Sequence, residues 1–218
     1  MIEIFDCEQG TPEWFECRRG IPTASMFATV LAKGRDGGAS VGRKTYLHKL
    51  AGEIVTGAMT EGYSNAHMER GHEHEPIARA TYAFLHDCEP REVGFIRNGR
   101  AGGSPDSLVG EDGGLELKSK LPHLLIEAML REDFPPEHRA QCQGLLWITG
   151  RDWWDIAVFW PGLPLVEYRA RRDEAYIARL SAAVAAFTEE LDEIVERVRA
   201  YGDPDALRRS LAASVAAA

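Results

Sequence analysis

Asp106, Glu116 and Lys118 are the residues around which chemistry could be built. They fall within residues 102–120, GGSPDSLVGEDGGLELKSK. In a strand, residues two apart share a face, so Glu116 and Lys118 point one way and Leu115 and Leu117 the other. A turn at Gly110-Glu111-Asp112-Gly113 folds the chain back. If Val109 pairs with Gly114 across that turn, Asp106 falls opposite Leu117, beside the Glu116/Lys118 pair. A bulge shifts such a register by one residue. Two crowded carboxylates repel unless a cation sits between them. Magnesium favours hard oxygen ligands, takes few from protein and keeps water and phosphate for the rest. Lys118 would orient or deprotonate a bound water. A divalent ion that polarises a phosphoryl oxygen and acidifies water is the usual means of phosphodiester hydrolysis. A charged hairpin with a Glu/Lys pair two residues apart is also an ordinary solvated surface, so the spacing alone leaves both readings open.

Elements must position this set. Residues 92–96, 107–110 and 114–119 read as short strands, and 153–160 and 165–170 as two more, joined at Pro161-Gly162. Apolar residues at helical spacing predict helices over 44–56, 123–131 and 137–148. A long amphipathic helix over 173–201 has Asp173 as its cap and Ile177, Leu180, Val184, Phe187 and Leu191 along its apolar stripe. Thr23 reads as the N-cap of a helix over 23–32. Residues 33–43, KGRDGGASVGR, form a Gly-rich basic loop. A helix from about Asn65 to His86 contains Pro76, which predicts a kink or break near Glu75. The first eleven residues read as a short strand or arm. These elements predict an α/β fold, with a central mixed β-sheet flanked by α-helices.

The 218 residues suit one domain over 1–218, with a tail from about 203 that is helical or disordered. No apolar run is long enough to span a bilayer. The N-terminus lacks the basic and apolar regions of a secretory signal. Cys7, Cys17, Cys88 and Cys142 show no C-x-x-C spacing and read as free thiols in a reducing cytoplasm. The formal charge of −9 argues only weakly against a nucleic-acid partner. Carboxylates gathered for metal binding inflate the acid count, and a bound ion reverses the local sign.

Pro105-Asp106 followed by Glu116-Leu117-Lys118 resembles the PD-(D/E)XK nuclease motif. The wider chain resembles the phage lambda-type exonucleases, or YqaJ-type viral recombinases. Trp14, Arg18 and Gly20-Ile21-Pro22-Thr23-Ala24-Ser25 resemble that family's opening W-x(3)-R-x-G-x-x-T-A-S. Gly71 to Glu75 resembles its G-x(3)-E helix. Gln141-Cys142-Gln143 resembles its Q-x-Q segment, and the strand from Trp153 follows in order.

The resemblance implies a restriction-endonuclease-like core and a magnesium-dependent 5′ to 3′ exonuclease on linear duplex DNA. Such an enzyme releases 5′-mononucleotides and leaves 3′ single strands for recombination by annealing. Asp106, Glu116 and the Leu117 carbonyl would hold magnesium, with two ions per site and manganese able to substitute. Glu75 would lie near the second ion, with Glu73 as the other candidate. Lys118 would act on the attacking water, and Gln143 would be the active-site glutamine, with Gln141 close by. Arg18, Ser25 and Ser104 match positions around a terminal 5′-phosphate, joined by Gln141 on the DNA-binding side. An Arg suits bidentate phosphate contacts, and a helix start adds free amides. The basic loop would guide the duplex end. Further implications are double-stranded DNA ends as partner, a ring-shaped homotrimer, a single-strand annealing protein, no membrane, and a bacterial or phage-encoded cytoplasmic setting. The other readings are a PD-(D/E)XK endonuclease, or a DNA-end-binding protein without 5′ to 3′ polarity.

Overall fold

The computed structural model of the chain describes residues 1–59, 66–131, 133–201 and 208. The tail expected from about residue 203 lies outside the described residues, Arg208 excepted. Two sheets form. Strands β1 (Ile2–Phe5), β2 (Phe95–Asn98) and β3 (Ala101–Gly103) make an antiparallel sheet in that order. Strands β4 (Ser107–Val109), β5 (Gly113–Ser119), β6 (Trp153–Phe159) and β7 (Val166–Arg171) make the mixed sheet, also in chain order. The pairs β4/β5 and β6/β7 are antiparallel and β5/β6 is parallel. A parallel neighbour needs a crossover. Helices α5 (Pro122–Met129) and α6 (Arg139–Thr149) supply it.

The remaining helices are α1 (Pro12–Arg18), α2 (Phe27–Leu31), α3 (Val41–Thr56), α4 (Ala66–His86) and α7 (Glu174–Tyr201). Both faces of the mixed sheet are covered. On one, Trp154, Ile156 and Val158 pack with Phe27, Leu145, Leu180 and Phe187 of α2, α6 and α7. On the other, Leu115, Leu117, Ala157 and Phe159 pack with Ala78 and Tyr82 of α4. Alternation along β5 therefore sends Leu115 and Leu117 toward α4, and Glu116 and Lys118 toward α6.

The buried Asp155 carboxylate ties α4 to this sheet. Asp155 on β6 accepts two hydrogen bonds from Arg169, both of 2.7 Å, and one of 2.6 Å from the Tyr82 hydroxyl. Burial, with Asp155 as acceptor, pushes the Tyr82 hydroxyl well above the usual phenol range. At the start of β5 the two sheet neighbours approach so closely that only glycine fits. A Cβ at Gly113 would stand 2.0 Å from the Trp153 ring, and one at Gly114 would stand 2.3 Å from the Trp154 ring.

Several expectations need correcting. Val109 pairs with Gly113, not Gly114, which moves the whole hairpin by one residue. Helix α4 runs through Pro76 without a break. Proline removes one donor from the ladder, and the packing of Ala78 and Tyr82 on the sheet holds the rest. The helix expected over 23–32 is a 3₁₀ turn, Ala24–Met26, followed by α2, and the Thr23 side chain makes no capping bond. Asp173 does cap α7, accepting from the Tyr176 amide at 2.9 Å. The basic loop is a tight turn, with Lys33 bridged to Ala39 and the Gly34 amide donating to the Gly38 carbonyl at 2.7 Å.

Candidate active site

The corrected register places Asp106 just before β4, next to Ser107 and its partner Leu115. The Asp106 carboxylate does not face the Leu117 side chain. Its Oδ2 instead accepts from the Leu117 backbone amide at 2.5 Å. The strand that presents Glu116 and Lys118 thus also fixes Asp106. Gln9 secures the same loop from below, its amide donating to the carbonyls of Val93 and Pro105 at 3.1 and 3.2 Å.

Glu116 is buried, with 4 % of its surface exposed. Its Oε1 accepts from Lys118 Nζ at 2.7 Å and from Gln141 Nε2 at 2.6 Å. Its Oε2 is buried and has no hydrogen-bond partner. A buried carboxylate oxygen without a donor is costly, and a cation is the natural means of satisfying it. Burial, then the Glu116 charge, raises the Asp106 pKa well above the usual carboxylate range, although Lys118 and the Leu117 amide oppose this. Burial alone would lower the Lys118 pKa, but Glu116 and Asp106 together raise it, so its ammonium stays charged. Two acids and one ammonium leave a net negative pocket that fits a divalent ion. Among the described residues, no three His, Cys, Asp or Glu side chains close around one point.

Glu75 reaches the site from α4, on the opposite face of the sheet. It borders a cleft of about 410 Å³ together with Asp106, Gln9, Arg79 and Glu92. Its Oε1 accepts from Arg79 Nη2 at 2.5 Å. Glu73 is exposed, so Glu75 is the helix carboxylate that lines this cleft. His74 turns aside to the Ser119 hydroxyl at 2.8 Å.

The two glutamines part company. Residues two apart on a helix point about 200° away from each other. Gln141 therefore reaches Glu116, while Gln143 is buried on the far side of α6. Gln143 donates to the Arg171 carbonyl at 2.7 Å and accepts from the Asp173 amide at 2.9 Å. Gln143 is thus not an active-site glutamine here. It splices β7 to α7, and the position beside the carboxylates belongs to Gln141.

Arg18, Ser25 and Ser104 come together with Glu116, Lys118 and Gln141 around one cleft of about 210 Å³. The Arg18 guanidinium lies over the Trp14 ring, 4.0 Å from its centroid. The Trp14 indole N–H donates to Ser104 Oγ at 2.8 Å. Ser104 accepts there and keeps its own proton to donate. Ser25 Oγ is 3.3 Å from the Thr23 hydroxyl. One part of its lining is thus cationic and rich in hydroxyls, and another carries the Glu116 carboxylate and Lys118.

Gln9 and Arg79 were not foreseen as site residues. Arg79 had a signal, since an Arg four residues after a Glu on a helix pairs with it. Gln9 had none, because its bonds run to backbone carbonyls more than eighty residues away.

Residues 13–152 match the YqaJ-like viral recombinase domain. The chain is similar to the alkaline exonuclease LHK-Exo of Laribacter hongkongensis, with 34% identity and a TM-score of 0.79 over 88% of this chain and 98% of that one. It is equally similar to LHK-Exo in complex with dAMP, with 35% identity and a TM-score of 0.80 over the same shares. A phage-related exonuclease of Haemophilus somnus shares the fold, with 13% identity and a TM-score of 0.64 over 82% of this chain and 96% of that one. No curated protein matches the chain.

Proposed function

This chain belongs to the YqaJ-like viral recombinase domain family, and on that premise we propose that it is a magnesium-dependent deoxyribonuclease degrading linear duplex DNA from its 5′ ends. It releases 5′-mononucleotides and leaves 3′ single strands for annealing. The observation that carries this reading is the single cleft shared by Arg18, Ser25, Ser104, Glu116, Lys118 and Gln141. A site for a terminal phosphate beside a site for hydrolysis measures off one nucleotide at a time.

Asp106, Glu116 and the Leu117 carbonyl would hold the ion, with Glu75 toward a second. The orphaned Glu116 Oε2 supports that placement. When bound, a divalent ion supplies Lewis-acid polarisation and a more acidic water. The chain supplies positioning and fixed charge. Arg18 and the Ser25 and Ser104 hydroxyls seat the terminal phosphate, which sets polarity. Lys118, charged and 2.7 Å from Glu116, would orient the attacking water and face the negative charge carried by the phosphoryl oxygens. Gln141 keeps Glu116 Oε1 occupied, so that Oε2 alone turns to the ion.

Family membership also supports a ring-shaped homotrimer and a single-strand annealing partner. Sedimentation equilibrium that returned a monomer mass would remove the ring. Among the described residues no helix is long and apolar enough to cross a membrane. The test of the central reading is digestion of end-labelled linear duplex, with and without magnesium and with and without a 5′-phosphate. Cleavage of covalently closed circles would favour an endonuclease instead, and binding without hydrolysis would favour an end-binding protein.

A further inference from the structure

Arg79 is a cation set among the acids of the proposed metal site, where on charge alone it should be unwelcome. A guanidinium cannot ligate a metal ion and repels one. Its bonds account for its presence. Nη2 donates to Glu75 Oε1 at 2.5 Å and to the Asp106 carbonyl at 3.3 Å. Nε donates to Ser107 Oγ at 3.0 Å, and Nη1 pairs with Glu92 at 3.0 Å. Ser107 is fully buried, and its hydroxyl donates to the Asp106 carbonyl at 2.6 Å. One planar fork therefore binds the α4 carboxylate to the backbone of Asp106, just before β4, and to the side chain of Ser107, which begins it. Little of the Arg79 side chain is exposed, 13 %.

We infer that Arg79 is a positioning residue that sets the distance and orientation of Glu75 relative to Asp106. It occupies one oxygen of Glu75 and leaves the other for the cleft the two acids share. This inference rests on the metal-dependent nuclease reading above. The role assigned to it involves no contact with DNA or the reacting atoms. It acts through Glu75, so its effect falls on metal affinity and not on DNA affinity. Partners that orient a metal ligand typically change metal affinity about 10–100-fold when removed.

Arg79→Lys is the informative substitution. It keeps the charge at the same point of α4 but cannot make the fork, since an ammonium is a compact point donor. Simple repulsion of the ion is thereby held constant, and any change reports geometry. The magnesium concentration for half-maximal digestion should rise about tenfold or more, with the KM for DNA unchanged. The rise in melting temperature that magnesium produces in the protein without DNA should shrink in parallel. In a Glu75→Gln background, Arg79→Lys should add less than about twofold, because its route is already cut. Ser107→Ala removes only the Nε partner and should move half-saturation the same way by a smaller factor. That variant decides the matter if Arg79→Lys does not fold.

Wild-type magnesium dependence in Arg79→Lys overturns the inference, as do full additivity with Glu75→Gln or a change confined to the KM for DNA. If Arg79→Lys does not fold, an unshifted Ser107→Ala overturns it. Each of these leaves the nuclease reading standing. A wild-type protein that is inactive, or active without magnesium, removes the nuclease reading itself.

Discussion

Gln141 donates to Glu116 at 2.6 Å, whereas Gln143 on the same helix donates away from it to Arg171. The two amides should therefore fail differently. Gln141→Ala loses a hydrogen bond to a charged group, about 1.5–3 kcal/mol of stability, and its folded fraction should cleave slowly because Glu116 is no longer held. Gln143→Ala removes a buried side chain that bonds the Arg171 carbonyl and the Asp173 amide and should lose about 1–3 kcal/mol of stability. Its folded fraction should retain activity. Parallel melting curves and initial rates check both.

Glu116→Ala and Lys118→Ala should each abolish cleavage of linear duplex while circular dichroism stays native. Glu116→Gln should be as inactive. Full activity in any of the three would sink the nuclease assignment.

Arg18→Ala should erase the preference for 5′-phosphorylated over 5′-hydroxyl ends. Wild type should favour the phosphate by about tenfold or more, the worth of a charge-assisted contact. A ratio that stays high in the variant would move the phosphate site elsewhere.

Asp106 makes a pH prediction with a definite sign. Its folded pKa is raised by burial and by Glu116. Between the unfolded value, about 4, and that raised value, the folded state holds more protons than the unfolded one. Stability without metal therefore falls as pH rises through this window. Magnesium displaces the proton, so its stabilising effect should grow over the same window. His138 works in the opposite sense: burial, with Lys118 and Lys120 nearby, lowers its pKa to about 4, so it loses stability as pH falls below its ordinary value. Asp106→Asn separates the two. Melting temperature against pH, with and without magnesium, should lose its Asp106 component in that variant and keep the His138 one.

Much of the site was legible because it follows short periods. Glu116 and Lys118 share a face by strand alternation, and apolar Leu115 and Leu117 mark the other. The same alternation logic on a helix separates Gln141 from Gln143, yet resemblance favoured the wrong one of the pair. The hairpin register was misjudged because Gly113 looks like a turn residue. It is a strand residue, and it is glycine because the Trp153 ring lies against it. Of the kink or break expected at Pro76, the break does not occur, since α4 packs on the sheet on both sides of the proline's missing donor. The three-stranded sheet was only half visible. Ala101–Gly103 is too short and too rich in glycine to signal a strand, and only its pairing with Phe95–Asn98 defines it.

Trp14 lies beneath Arg18 and donates its indole N–H to Ser104. That arrangement gives the phosphate cleft an optical handle. An anion drawing Arg18 and Ser104 toward itself changes both the charge above the ring and the bond at its nitrogen, the two features to which indole emission responds. Seating of a DNA end can thus be followed by intrinsic fluorescence with no label and no turnover. Trp14→Phe, which leaves the other four tryptophans in place, is the blank.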